Sequence, residues 1–334
     1  MHPSSFNRRR TLKTLFCSSA ALALNVRQTR AADTEKGALH HLAIGDFGTT
    51  GVDQKAVSEA MQTFLQQKQI QAESLLLLGD NFYSEVKGGF SVDSERWITG
   101  FEDMYPTRSF PGPCPAVLGN HDYYDNIGGA EVQLEYAKKP GTRWTLPDRW
   151  YRYELGGAEP LVTVLAVDTN FPNVTGGYDG KKKRERPSLS AAQVVEQTAW
   201  LKAQLEGPRA PMTLMIGHHP FYSNGSHLDT QPVIDAWGEL IQKHQVHAYL
   251  CGHDHDLQHL ELEGLFTSFV ISGGGGAKTR PLKSPERKMP FGRDVHGFTH
   301  IQILPQRLIF AHHGVDGSLL HRFTKHADGR VEIG

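Results

Sequence analysis

The sequence predicts an α/β fold in which two packed mixed β-sheets are flanked by α-helices. Three observations carry that reading. Short apolar runs rich in Val, Leu and Ile recur along the chain, and most end in a glycine followed by a polar side chain; runs of this length and composition are buried strands. Helical patterns lie between them, the mark of parallel βαβ units. In the last third the runs are separated only by short turns such as Asp316-Gly317, which predicts antiparallel pairing.

Taken in order, residues 39–44 lead into Gly45-Asp46, 75–78 into Gly79-Asp80-Asn81, and 116–118 into Gly119-Asn120-His121. Residues 161–167 lead into Asp168, 212–216 into Gly217-His218, and 248–251 into Gly252-His253. Ala56, Ala60 and Phe64 repeat at four, with Val57, Met61 and Leu65 beside them, and Val194, Thr198, Leu201 and Leu205 keep to one helical face. Antiparallel strands are expected at 266–272, 298–304, 308–313 and 319–323. No repeat or long linker divides residues 33–334, so a single domain is expected there. Two loops stand out: 171–190, with the basic run Lys181-Lys182-Lys183-Arg184-Glu185-Arg186, and 273–294, which opens on four glycines. That glycine run lacks the Lys-Ser/Thr of a P-loop.

Composition narrows the class. The 334 residues are 39% apolar and 21% charged, as in a soluble globular protein, which excludes collagen-like and disordered chains. No apolar window reaches the roughly 18 residues of a membrane span. Residues 1–32 have the layout of an export signal: a basic start, an apolar stretch over 15–24, and Ala31-Ala32 for cleavage. Arg8 and Arg9 followed by Leu12-Lys13 resemble a twin-arginine signal, which implies export machinery as a partner and a periplasmic or extracellular protein. An ordinary secretion signal and a mitochondrial presequence are the rival readings. Without this segment 29 basic residues face 36 acidic ones, a net charge of −7, so neither nucleic acid nor a membrane surface is expected as a partner. Only Cys114 and Cys251 remain, enough for one disulfide at most.

The chemistry lies at the strand ends. The chain has 18 His against 3 Cys, and histidine is the commonest metal ligand. Asp46, Asp80, Asn120, His121, His218, His253 and His255 all follow strands, where ligands gather in sheets of this kind. Oxygen and imidazole donors without thiolates suit Fe, Mn or Zn. His253 and His255, two apart in an extended chain, point to the same side. Two ions about 3.5–4 Å apart need a bridging carboxylate, which one strand-end Asp supplies.

Five blocks, Gly45-Asp46-Phe47-Gly48, Gly79-Asp80-Asn81-Phe82-Tyr83, Gly119-Asn120-His121-Asp122, Gly217-His218-His219-Pro220 and Gly252-His253-Asp254-His255, stand in the order of the metallophosphoesterase motifs. The Tyr ending the second block resembles the purple acid phosphatases. The chain between the blocks, with Arg143-Trp144, Trp150-Tyr151-Arg152, Trp200-Leu201-Lys202 and Cys251, resembles their small, tartrate-resistant type. The resemblance covers residues 38–325 and implies a four-layer αββα sandwich. It assigns Asp46, Asp80, Tyr83 and His255 to an Fe3+ site, and Asp80 again, with Asn120, His218 and His253, to a divalent site holding Fe2+, Zn2+ or Mn2+. His121 resembles the family's substrate-facing histidine, and His227, nine residues after His218, its second active-site histidine. His219 is the rival of His218, but strand alternation points it away. Asp122 and Asp254 are expected to support the ligands by hydrogen bonds.

The resemblance implies an acid phosphatase that hydrolyses small-molecule or protein phosphate monoesters. Metal-activated hydroxide attacks in line, His121 or His227 assists the leaving alkoxide, and inorganic phosphate is released. A phosphodiesterase of the same fold and a non-catalytic metal-binding protein are the alternatives, and none of the seven ligands that the latter would lack is missing. The small type also has a protease-sensitive loop near 171–190, which predicts a lid over the site.

Overall fold

The computed structural model describes residues 34–283 and 287–334, so the export-signal reading of residues 1–32 lies outside the described residues. The chain divides into residues 1–38 and a compact unit, 39–334. The compact unit begins with β1 (Leu39–Ile44), α1 (Val52–Lys68), β2 (Ser74–Leu78), β3 (Cys114–Val117), α2 (Asn120–Tyr124), α3 (Gly129–Tyr136) and β4 (Trp144–Thr145). There follow β5 (Tyr151–Leu155), β6 (Val162–Ala166), β7 (Gly177–Asp179), β8 (Arg184–Arg186), α4 (Ala191–Glu206), β9 (Met212–Ile216), α5 (Gln231–Lys243) and β10 (Ala248–Cys251). The last are β11 (Leu257–Leu260), β12 (Ser268–Ser272), β13 (Phe291–Arg293), β14 (Gly297–Leu304), β15 (Arg307–Gly314), β16 (Leu319–His326) and β17 (Val331–Ile333).

One sheet has the order β17-β16-β15-β14-β1-β2-β3-β4 and the other β13-β11-β12-β10-β9-β6-β5. Each is mixed: β1, β2, β3 and β4 run parallel beside an antiparallel β14, and β6, β9, β10 and β12 run parallel with antiparallel edges. Strands such as β2 and β9 are buried at every residue, which follows from helices covering the outer faces. Phe64 of α1 packs edge-on against Phe298 of β14, and Trp237 of α5 donates its indole N–H to Thr198 of α4. Ser190 starts α4 with a reciprocal cap, its hydroxyl accepting the Gln193 N–H while Gln193 Oε1 accepts the Ser190 N–H.

The expected strand positions hold, with one change of direction: β12 runs parallel to β10 and only its other neighbour, β11, is antiparallel. Segment 171–190 is not without structure, because β7 and β8 pair as a hairpin within it. Cys114 and Cys251 are buried free thiols. The parallel strands matter most for function. Their carboxyl ends in both sheets open on one region, with Asp46, Asp80 and Asn120 arriving from one sheet and His218 and His253 from the other.

Candidate metal centre

The strand ends meet because their glycines let the backbones close. A Cβ on Gly119 would collide with the backbone and carboxylate of Asp80, and one on Gly252 with the Asp46 carboxylate. Three donors sit in left-handed backbone: Asp46 at φ 58°, Asp80 at 53° and His253 at 70°. Non-glycine residues take this conformation at a cost of order 1–3 kcal/mol, and it concentrates at functional sites. Here it turns each side chain off its strand into the common pocket.

The first donor set converges tightly. The Tyr83 hydroxyl lies 3.1 Å from Asp46 Oδ1, 2.9 Å from Asp80 Oδ2 and 3.2 Å from His255 Nε2. His255 Nε2 is 3.4 Å from Asp46 Oδ1. Donors bound to one ion at about 2.0–2.2 Å stand about 3 Å apart, so these four fit a single cation. His255 Nδ1 donates to the Lys278 carbonyl at 2.8 Å, which leaves its Nε2 lone pair facing the other three donors. No Lys or Arg pairs with Asp46 or Asp80 among the described residues.

The second set shares Asp80. Its Oδ2 faces Tyr83, while Oδ1 lies 3.4 Å from His218 Nε2. Asn120 Oδ1 is 3.1 Å from that same nitrogen, and Asn120 Nδ2 is occupied by the Tyr124 hydroxyl at 2.6 Å, so the amide oxygen is the end turned inward. His218 Nδ1 donates to the Leu78 carbonyl at 2.9 Å, again freeing Nε2. The His253 ring lies 5.1 Å from that of His218, and its backbone N–H donates to Asp46 Oδ2 at 2.8 Å. Asp80 thus touches both donor sets, as a carboxylate shared between two ions would.

The electrostatics favour a cation here. Burial works against a charged His218, yet Asp80 outweighs it and raises the imidazole to about 9. Burial would also raise Asp80, but His218 and His121 hold it well below the usual carboxylate range. Burial, then Asp46 and Asp80, push the Tyr83 phenol well above its ordinary value, so only a strongly charged ion would hold it as phenolate. The residues present therefore fit metal ions of the hard to borderline kind.

His219 departs from the sequence reading. Its ring is buried and lines the same pocket, with its ligating atom grouped with those of His218 and His253. Alternation fails because β9 ends at Ile216 and both histidines belong to the following turn. His219 is nevertheless tied by Nδ1 to the Thr169 hydroxyl at 2.8 Å, whereas His218 Nε2 is the nitrogen that approaches Asp80 and Asn120.

His121 and His227 stand at the pocket wall. His121 Nδ1 is 2.8 Å from Asp125 and its Nε2 3.1 Å from the Tyr124 hydroxyl, and its ring packs 4.3 Å from that of Tyr83. His227 Nδ1 is 2.9 Å from the buried Asp254, and its ring lies 4.1 Å from that of His253. Asp122 accepts the backbone N–H groups of Gly119, Asn81 and Phe82 and so ties the second and third strand ends together.

Residues 40–257 match the calcineurin-like phosphoesterase family. The chain belongs to that family. It is 31% identical to the tartrate-resistant acid phosphatase type 5 of Sus scrofa over 88% of each chain. In fold it is similar to a purple acid phosphatase from yellow lupin seeds, with a TM-score of 0.66, 14% identity, and coverage of 87% of this chain and 54% of that one. It is equally similar to GAP50, the anchor in the inner membrane complex of Plasmodium, at a TM-score of 0.68 and 16% identity over 86% of this chain and 89% of that one. These two likenesses bear on fold alone. The family implies a dinuclear metal centre and phosphoester hydrolysis.

Around the phosphoesterase donors the structure adds residues to which the sequence reading gave no individual role. Val174, Thr175 and Arg186 come from segment 171–190, Tyr124 from α2, and Arg280 from the glycine-rich loop. Arg186 stacks over Tyr124 at 5.3 Å, and Arg184 donates to the Tyr124 carbonyl at 2.7 Å, so the β7–β8 hairpin does border the pocket. Its basic run was the available signal. Arg280 had none, because it follows Gly273–Gly276 in a stretch without pattern. Those glycines serve close approach: the Gly275 N–H donates to the Gly45 carbonyl at 3.1 Å, directly beside Asp46.

Proposed function

We propose that this phosphoesterase is an exported acid phosphatase that hydrolyses phosphate monoesters at a dinuclear centre. Fe3+ would be held by Asp46, Asp80, Tyr83 and His255, and Fe2+, Zn2+ or Mn2+ by Asp80, Asn120, His218 and His253. The observation that carries the reading is the Tyr83 hydroxyl within 2.9–3.2 Å of two carboxylates and an imidazole, on a donor set that shares Asp80 with a second one. Export rests on Arg8-Arg9 ahead of the apolar stretch.

When bound, the metal pair supplies charge neutralisation to phosphate oxygens and acidifies water. The remaining work falls to the chain. His218, His255 and Asn120 would hold the centre rigidly because their outer atoms are fixed by the Leu78 carbonyl, the Lys278 carbonyl and the Tyr124 hydroxyl. His121, held by Asp125, turns its Nε2 toward Tyr124 at the pocket wall and gives a proton to the departing alkoxide, help of about 10²–10⁴-fold. His227 lies beyond it, joined at both ring nitrogens, to Asp254 and Arg280.

The test compares hydrolysis of an aryl phosphate with its bis-aryl diester on metal-analysed protein at acidic pH. Faster turnover of the monoester supports the reading. Preference for the diester replaces it with a phosphodiesterase, and no turnover of either with two metals present removes the enzyme.

A further inference from the structure

Arg280 is held in an unusual way. Asp254 is a buried carboxylate that can only accept, so His227 Nδ1, 2.9 Å away, carries the proton of that hydrogen bond. Arg280 rests one guanidinium nitrogen against the ring of His227, 2.7 Å from Nε2 and 3.3 Å from Nδ1. The row Asp254–His227–Arg280 thus fixes a guanidinium in place while spending only one of its nitrogens. No acidic side chain pairs with Arg280 among the described residues. The guanidinium lines the same pocket as Asp80, His253 and His255.

Its position is one ring out from the metal donors. His227 packs on His253, at 4.1 Å, and Arg280 contacts the ring of His227. Arg186, from the β7–β8 hairpin, is the pocket's other guanidinium. It is propped over Tyr124 and lies 3.7 Å from Asp179. Two planar forks, each suited to a carboxylate or phosphate, therefore stand outside the donors that the reacting phosphate meets.

We propose that Arg280, with Arg186, is a specificity determinant that selects phosphate monoesters carrying a second anionic group close to the scissile phosphate. This rests on the monoester reading above. Glycerol 2-phosphate and 2-phosphoglycerate differ by a hydroxymethyl against a carboxylate and form the matched pair. In the native enzyme kcat/KM for 2-phosphoglycerate exceeds that for glycerol 2-phosphate by about tenfold, the size of one charge-assisted contact. Arg280→Gln removes that preference, Arg280→Lys retains part of it, and Arg186→Gln lowers it by a smaller factor. Binding gives a second readout: calorimetric affinity for 3-phosphonopropionate over propylphosphonate falls in Arg280→Gln by the same factor. Equal losses on both substrates would overturn the proposal and leave Arg280 as a positioning residue for His227. Equal kcat/KM for the pair in the native enzyme would overturn it too while leaving the monoester reading intact. Turnover of neither would overturn both.

Discussion

His41 offers a quantitative test of how this fold resists acid. It lies on β1, 1% exposed, with Nδ1 2.7 Å from the Ser74 hydroxyl and no partner for Nε2 among the described residues. Protonation would bury an N–H with nothing to receive it. Burial first, then the neighbouring His40, lowers this imidazole to about 4. The folded pKa lies below the unfolded one, so the stabilisation is complete above the ordinary value near 6.5 and is lost as pH falls toward 4. Linkage makes this one group worth about 2 kcal/mol less at pH 5 than at pH 7. His41→Asn keeps an amide near Ser74 and cannot titrate. Its stability at pH 7 falls because it packs less well. Its further loss between pH 7 and pH 5, from urea unfolding, is about 2 kcal/mol smaller than that of the native chain. Equal losses in both proteins would refute the buried-neutral account of His41.

His121→Ala keeps both metals by elemental analysis and loses about 10²–10⁴-fold in kcat, as the proposed substrate-facing role requires; an empty site in this variant would contradict the assignment. Gly252→Ala forces a methyl against the Asp46 carboxylate, costing about 1–3 kcal/mol as overpacking does, and lowers metal content more than it lowers secondary structure by circular dichroism. Limited trypsin cleavage within Lys181–Arg186 releases the β7–β8 hairpin from Tyr124 and Asp125 and raises turnover; unchanged turnover of the nicked enzyme reduces the hairpin to a surface feature.

The architecture was legible because buried parallel strands write themselves as short apolar runs, and because a strand-end glycine followed by Asp, Asn or His is visible without any structure. What placed those side chains was not. Asp46, Asp80 and His253 reach the pocket through left-handed backbone, a conformation that no periodicity reports. Assuming strand alternation beyond Ile216 misdirected His219, since β9 had already ended. The pairs β4–β3 and β5–β6 escaped notice because their strands are short or only partly buried. Arg280 joined the pocket through contacts fifty-three positions apart in sequence, with His227. Asp168 was legible only as a strand end; its carboxylate accepts the Tyr123 hydroxyl at 2.6 Å and so steadies α2, which carries Asn120 and His121.

The proposed function turns on a two-metal centre whose ferric half would be bound by Tyr83. It is tested most directly by recording metal content and the visible spectrum on one iron-loaded sample of the native chain and of Tyr83→Phe. Tyrosine, with a free pKa of ~10, is neutral at acidic pH unless a strongly charged ion holds it deprotonated. Two metal ions per native chain and a purple to pink charge-transfer band are expected, the band absent in Tyr83→Phe even where Asp46, Asp80 and His255 retain iron. A colourless native protein with iron confirmed at the site, or the same band in the Phe variant, would contradict it.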